Sequence, residues 1–194
     1  MTKVASHRAC VNYEFEKLAG MQVTSEQFDV LTVLLKMEVK VRIIKYRTEL
    51  NENNHNILVK ESATNYNMDN CDNPQPVVSM INDVFRLNKQ AEEYVYLVAL
   101  NTKNKVLGVF EVSHGSVNFS VMNPREIFIR ALLVGASTIV LCHNHPSGET
   151  IPSEDDLKAT RRIADCGELM NIPLLDHIII ADNDYKSLKA SDLM

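Results

Sequence analysis

The stretch from Asn123 to Asp184 constrains the fold most, because helices with marked ends alternate there with short apolar strands. In "NPREIFIRALLVGA", Asn123 is placed to cap a helix. Pro124 takes its first position, Glu126 the capping-box position and Gly135 the terminator. "STIVLCH" then reads as a short strand and "SEDDLKATRRIADCGELM" as a second capped helix. "LLDHIIIAD" reads as another strand, running into the turn residues Asp182, Asn183 and Asp184.

Upstream, "EYVYLVALNTKNKVLGVFEV" places β-branched and aromatic runs on either side of Asn101–Asn104, which is a hairpin signature. A short run at Val117–Val121 follows, so the half from Glu93 onward has the order ββαβαβ. Val77, Ile81, Val84 and Phe85 share one face of a helix expected from about Pro76 to Gln90. Glu61–Pro76, rich in Asn and Asp, reads as extended or irregular surface chain. Nearer the N-terminus, Phe28, Leu31, Leu34 and Leu35 predict a helix over Ser25–Met37 with Ser25 as cap. Val39, Val41 and Ile43 then alternate as a strand or a helix end, and "TELNENNHN" is a polar loop or linker. The expected architecture is α/β: a mixed β-sheet flanked by helices over residues 57–194, with a small N-terminal extension over residues 1–56.

Composition narrows the function. Of 194 residues, 45% are hydrophobic, enough for a packed core. A formal charge of -5 with only 20 Lys and Arg gives no general electrostatic reason to hold nucleic acid. Met1–Cys10 has no apolar signal core, and the longest apolar run, Ile127–Leu141, is interrupted by polar residues, so a cytoplasmic location without membrane contact is expected. Cys10, Cys71, Cys142 and Cys166 form no CxxC pair, against both a disulfide framework and a structural zinc knuckle.

The chemistry concentrates in "LCHNHPSGETIPSEDD", residues 141–156. If the strand stays extended through His143, Asn144 and His145, alternation puts both histidines on one face and sends Cys142 and Asn144 to the other. Pro146 keeps His145 out of the helical region, and Gly148 permits a tight reversal. The first turn of the following helix then returns a carboxylate toward the imidazoles. Two His and one Asp with an open position make the pattern of a catalytic zinc. The competing reading is an S-x-x-D box in which Ser153 caps and Asp156 is an ordinary third-position acid. Asp156 cannot serve the Ser153 N–H and a metal through one oxygen. The motifs of zinc deaminases and of helical H-E-x-x-H proteases are absent.

With these residues in view, the chain resembles RadC-type members of the JAB/MPN (JAMM) metalloprotein superfamily, whose signature is a Glu upstream of H-x-H-P, six residues, S-x-x-D. Here that is His143-Asn144-His145-Pro146, six residues, Ser153 to Asp156. "EEYVYLVALNTKNKV", "NPREIF", "HNHPSG", "PSEDD" and "LLDHIII" extend the resemblance over roughly Ile57–Met194. It implies a cytidine-deaminase-like JAB/MPN fold and one zinc ion on His143, His145 and Asp156. It also implies Glu93, rather than the adjacent Glu92, as general acid and base on metal-activated water, and Ser153 beside the oxyanion of a peptide or isopeptide carbonyl. Asp176-His177 belongs to the same pattern, as a pair orienting the ligands or as a satisfied core histidine. His7, His55 and His114 read as surface residues.

Two departures bear on function. RadC-like proteins often carry Gly-rich helix-hairpin-helix modules that grip DNA, and residues 1–56 hold only Gly20. That weakens the DNA-repair role implied by the RadC name and makes a docking role for the extension the better expectation. No insertion of the kind that holds ubiquitin is evident. The expected function is therefore a zinc-dependent peptide or isopeptide hydrolase acting on a protein or peptide. The alternatives are a DNA-repair or mobile-element protein with an accessory metal site, and a catalytically silent JAB-fold interaction module.

Overall fold

The computed structural model describes residues 40–115, 122–182 and 184–194. The helix expected at Ser25–Met37, the run at Val117–Val121 and the histidine His7 lie outside the described residues.

Seven strands form one mixed sheet: β1 (Lys40–Leu50), β2 (Asn56–Asn67), β3 (Glu93–Leu100), β4 (Val106–Gly115), β5 (Thr138–Asn144), β6 (Leu174–Ala181) and β7 (Asp184–Ser187). Their spatial order is β2-β1-β4-β3-β5-β6-β7. The β1–β4 and β5–β6 pairs are parallel and the rest antiparallel. Residues 40–56, assigned by sequence to the extension, thus include a strand hydrogen-bonded to β4 and the start of its hairpin partner. Gly108 permits the close approach, since a Cβ there would meet the Tyr46 ring at 2.8 Å. Freed of that clash, Tyr46 stacks on Phe110 with ring centroids 5.7 Å apart.

Helix α1 (Pro74–Phe85) packs on one face of the sheet, and α2 (Pro124–Val134) and α3 (Glu154–Met170) contribute to the core of the other. Alternation along the strands sorts the core. Tyr96, Val98, Leu100, Val140, Cys142 and Ile178 pack with Val77 and Ile81 of α1. Val95, Leu97, Ile139 and Leu141 pack with Ile127 and Phe128 of α2 and Ile163 of α3. Burying these side chains removes apolar surface from water at about 25 cal/mol per Å².

The helix ends follow local chemistry. Asn123 Oδ1 accepts from Arg125 N–H at 3.1 Å, and Gly135 closes α2 at φ 72°. Glu126 pairs with Arg125 and Arg130 and has no hydrogen bond back to the cap. Helix α1 stops before the expected Gln90, because Arg86 adopts φ 55° and a 3₁₀ turn, Leu87–Lys89, swings Leu87 into the core. The "ESATNYN" segment is the second half of β2, paired along β1. Between β3 and β4, Asn101 Oδ1 accepts from Lys103 and Lys105 N–H, and Asn104 takes φ 53°, so asparagines build the predicted turn.

Candidate metal centre

Strand β5 lies between β3 and β6, and its C-terminal end faces the N-terminus of α3. His143 is fully buried there, on the same face as Leu141. His145 follows one residue beyond the strand, its N–H still donating to Ile180 O at 2.9 Å, which prolongs the parallel ladder and keeps alternation in force. The two Nε2 atoms lie 3.0 Å apart. A turn closed by Gly148 N–H on His145 O, with Gly148 at φ 85°, redirects the chain toward α3.

Ser153 caps α3 and Asp156 is its third residue, in a complete capping box. Asp156 Oδ2 accepts from Ser153 N–H at 2.8 Å and from Ser153 Oγ–H at 2.6 Å, while Ser153 Oγ accepts from Asp156 N–H at 3.1 Å. Oδ1 stands 3.4 Å from His143 Nε2, and Oδ2 stands 3.5 Å from His145 Nε2. Capping and ligation are therefore compatible, because the carboxylate has two oxygens.

Glu93, the first residue of β3, completes the group. Glu93, His143, His145 and Asp156 each offer a ligand atom, and these atoms all lie within 4.8 Å of one another. Glu93 is buried, whereas Glu92, just before the strand, is exposed. Asn144, between the two histidines, turns away from them and bonds to the backbone around Glu93. Its Oδ1 accepts from Tyr94 N–H at 2.8 Å and its Nδ2 donates to Glu92 O at 2.9 Å.

The donor set fits one divalent ion. Tetrahedral ligands about 2.1 Å from a common ion lie about 3.4 Å apart, against the 3.0, 3.4 and 3.5 Å found here. Electrostatics agree with that fit at His143 and Asp156. Burial, reinforced by the neighbouring His177, holds His143 well below its usual pKa, which leaves a neutral ring. Burial alone would raise the Asp156 carboxyl, but His145, His143 and Ser153 together hold it below the ordinary carboxylate range. The Asp156 carboxylate in turn raises His145, against a smaller effect of burial.

The Asp176-His177 pair divides between the faces. Asp176 Oδ2 accepts from Ser187 Oγ–H at 2.6 Å and Oδ1 from Lys189 N–H at 3.1 Å, away from the cluster. His177, fully buried, lies with Nε2 2.8 Å from His143 Nδ1. Burial pushes its pKa down to about 4. Its other nitrogen meets the buried Thr160, whose spacing in the sequence carries no signal of the site. His55 and His114 are exposed, and His114 Nδ1 meets Glu111 at 3.0 Å.

A seven-stranded mixed sheet, with two histidines at the end of an inner strand and an acid from the next helix, defines an α/β protein with a candidate metal centre. The chain belongs to the RadC-like JAB domain family, whose pattern matches residues 71–193. It is similar to a UPF0758 protein of Clostridium tetani, 44% identical over 134 residues that cover 69% of this chain and 57% of the relative. A UPF0758 protein of Clostridium perfringens is 45% identical over 121 residues, 62% of this chain and 52% of that protein. One of Alkaliphilus metalliredigens is 42% identical over 121 residues, 62% and 51% respectively. The chain spans about half the length of the curated relatives it matches. Among the described residues no helix is long and apolar enough to cross a membrane.

Proposed function

We propose that this protein is a zinc-dependent hydrolase of peptide or isopeptide bonds, acting on a protein or peptide. His143, His145 and Asp156 are the ligands of one ion and Glu93 is the general acid and base. The observation that carries the reading is the convergence of these four side chains, from β3, β5 and α3, on one point. Nitrogen and oxygen donors in this number suit zinc, and three ligands leave a fourth position for chemistry. When bound, the ion would act as a Lewis acid on a carbonyl and lower the pKa of water in that position toward about 7.

The chain's own residues do the rest. A Glu93 carboxylate oxygen takes a proton from the attacking water and returns it to the leaving amine, which a buried carboxylate beside the ligands is placed to do. Ser153 donates to the developing oxyanion, for which its hydroxyl hydrogen must leave Asp156 Oδ2. Net negative charge favours a protein or peptide over DNA as substrate.

Metal content and turnover, measured together, test the reading. His143→Ala, His145→Ala and Asp156→Ala should each lose zinc. Glu93→Gln should keep zinc and lose turnover on a peptide library by about 100-fold or more. Unchanged zinc in the three ligand variants would overturn the site. Loss of zinc in Glu93→Gln would make that residue a ligand instead.

A further inference from the structure

We propose that Thr160 and His177 are positioning residues that set the proton pattern of His143, so that one hydroxyl hydrogen on α3 determines whether β5 presents a bare nitrogen to the metal. The inference rests on the reading of the cluster as a zinc site.

Donor and acceptor bookkeeping carries it. Thr160 Oγ1 lies 2.6 Å from the backbone oxygen of Asp156 and 2.6 Å from His177 Nδ1. A carbonyl oxygen can only accept, and a hydroxyl has one hydrogen, so that hydrogen is committed to Asp156. Toward His177 the hydroxyl oxygen must then accept, which places a hydrogen on His177 Nδ1. In a neutral ring Nε2 is consequently bare. It accepts from His143 Nδ1–H across 2.8 Å, and His143 Nε2, the nitrogen facing Asp156 and His145, is bare in its turn.

His145 reaches the same state by a separate route. Its Nδ1 lies 2.8 Å from the backbone oxygen of Glu149, so in the neutral ring that ligation requires Nδ1 carries the hydrogen and Nε2 does not. Two bare nitrogens then face each other at 3.0 Å, and neither can donate to the other. A cation between or beside them, a metal ion or a shared proton, relieves that contact. The relay and the Glu149 carbonyl thus converge on one protonation pattern, the one that ligation needs.

The relay also has a defined failure. If His177 carried its hydrogen on Nε2, it would donate to His143 Nδ1, and His143 Nε2 would acquire the hydrogen and cease to be a ligand. The Thr160 hydroxyl disfavours that state, because it would have to release the Asp156 carbonyl to donate to a bare His177 Nδ1. The carbonyl belongs to a ligand residue, so the ring His143, His177, Thr160 and Asp156 ties β5, β6 and α3 together.

Thr160→Val keeps the shape and removes the acceptor, whereas Thr160→Ser keeps the hydroxyl. Zinc affinity, read by competition with a chelator, should fall about 10- to 100-fold in Thr160→Val and recover in Thr160→Ser. Long-range proton–nitrogen spectra of the metal-free wild type should show both His143 and His177 with hydrogen on Nδ1. Wild-type affinity in Thr160→Val, equal losses in both variants, or His143 carrying its hydrogen on Nε2 would each overturn the proposal. A wild type that takes up no zinc overturns the proposed function instead, and the spectra of the metal-free chain then decide the relay without the metal and without any variant.

Discussion

At Asp156 the capping reading of S-x-x-D is met, and the same carboxylate keeps an oxygen turned toward the histidines. Oδ2 closes the capping box with Ser153, and Oδ1 faces His143. Spacing alone could not reveal this, because it depends on which way a single carboxylate turns. The choice of Glu93 over Glu92 was legible from the RadC-like spacing to the turn at Asn101, whereas strand alternation said only that one of the pair faces inward, and Glu93 is the buried one. His177 was legible only as a histidine in an apolar strand: its partner His143 is 34 positions away, and nothing local announces the contact. Thr160 carried still less signal, for threonine within a helix is ordinary. If Asp156 holds the metal as proposed, Ser153 supports that ligand as well as capping the helix. Ser153→Ala should destabilise the metal-free protein by about 1 kcal/mol, the usual value of a lost N-cap, and should weaken zinc binding less than loss of a ligand does. Ser153→Thr should restore both. Denaturant unfolding and chelator competition on the same samples check this; wild-type zinc affinity in Ser153→Ala would mean that Asp156 needs no help in holding its orientation.

Among the elements, those with chemical punctuation were the ones the sequence disclosed. Asn123 and Gly135 bound α2, Ser153 and Asp156 start α3, and asparagines form the β3–β4 turn, all through local hydrogen bonds. Helix α1 ended early because burying Leu87 outweighed continuation of the helix, and that advantage comes from the tertiary core. The second half of β2 was read only as extended or irregular because its polar side chains are largely exposed, and its strand character lies in backbone pairing with β1. The junction of β3 with β5 holds the element-scale feature that matters most for the proposed chemistry. Asn144 clamps the backbone on both sides of Glu93, and so relates the proton carrier to the ligands by a rigid link. Asn144→Ala leaves Tyr94 N–H and Glu92 C=O without this partner, a cost of about 1–3 kcal/mol. It should retain zinc yet lose turnover, because Glu93 is released while the ligands are untouched. Zinc analysis beside peptide turnover tests the distinction, and full turnover in a folded Asn144→Ala chain would remove the clamp from the mechanism.

For the molecule as a whole, the sequence made the α/β class and the two-sided core readable, because helical and strand periodicities separate cleanly after Glu93. The strand order was not readable. Setting β1 beside β4 depends on Lys45 meeting Val109, a pairing across 64 positions that no local pattern encodes. The sheet's inner strands carry two fully buried neutral histidines, and these tie global stability to pH. His177 has a pKa of about 4 in the folded chain against an ordinary 6.5, and His143 is also held well below 6.5, in both cases chiefly by burial. Between those values the unfolded chain binds protons that the folded chain refuses, so stability is complete above pH 6.5 and falls as pH drops toward 4. Each ring contributes a slope on the order of 1 kcal/mol per pH unit. His145, with its raised pKa, acts in the opposite sense: its contribution is complete below its unfolded value and is lost as pH rises through its folded one. Asp156, held low, begins to lose its contribution only below its unfolded value of 3.8, so below pH 6.5 neither group cancels the loss on acidification. Metal-free protein should therefore show a clearly lower denaturant midpoint at about pH 5 than at about pH 7. His177→Gln should flatten that dependence by removing one of the two rings. A wild-type midpoint that does not move over this range would mean that the rings are solvated in the folded chain, and the packing of β5 and β6 against α3 would have to be looser than the hydrogen-bonded chain through His177 requires.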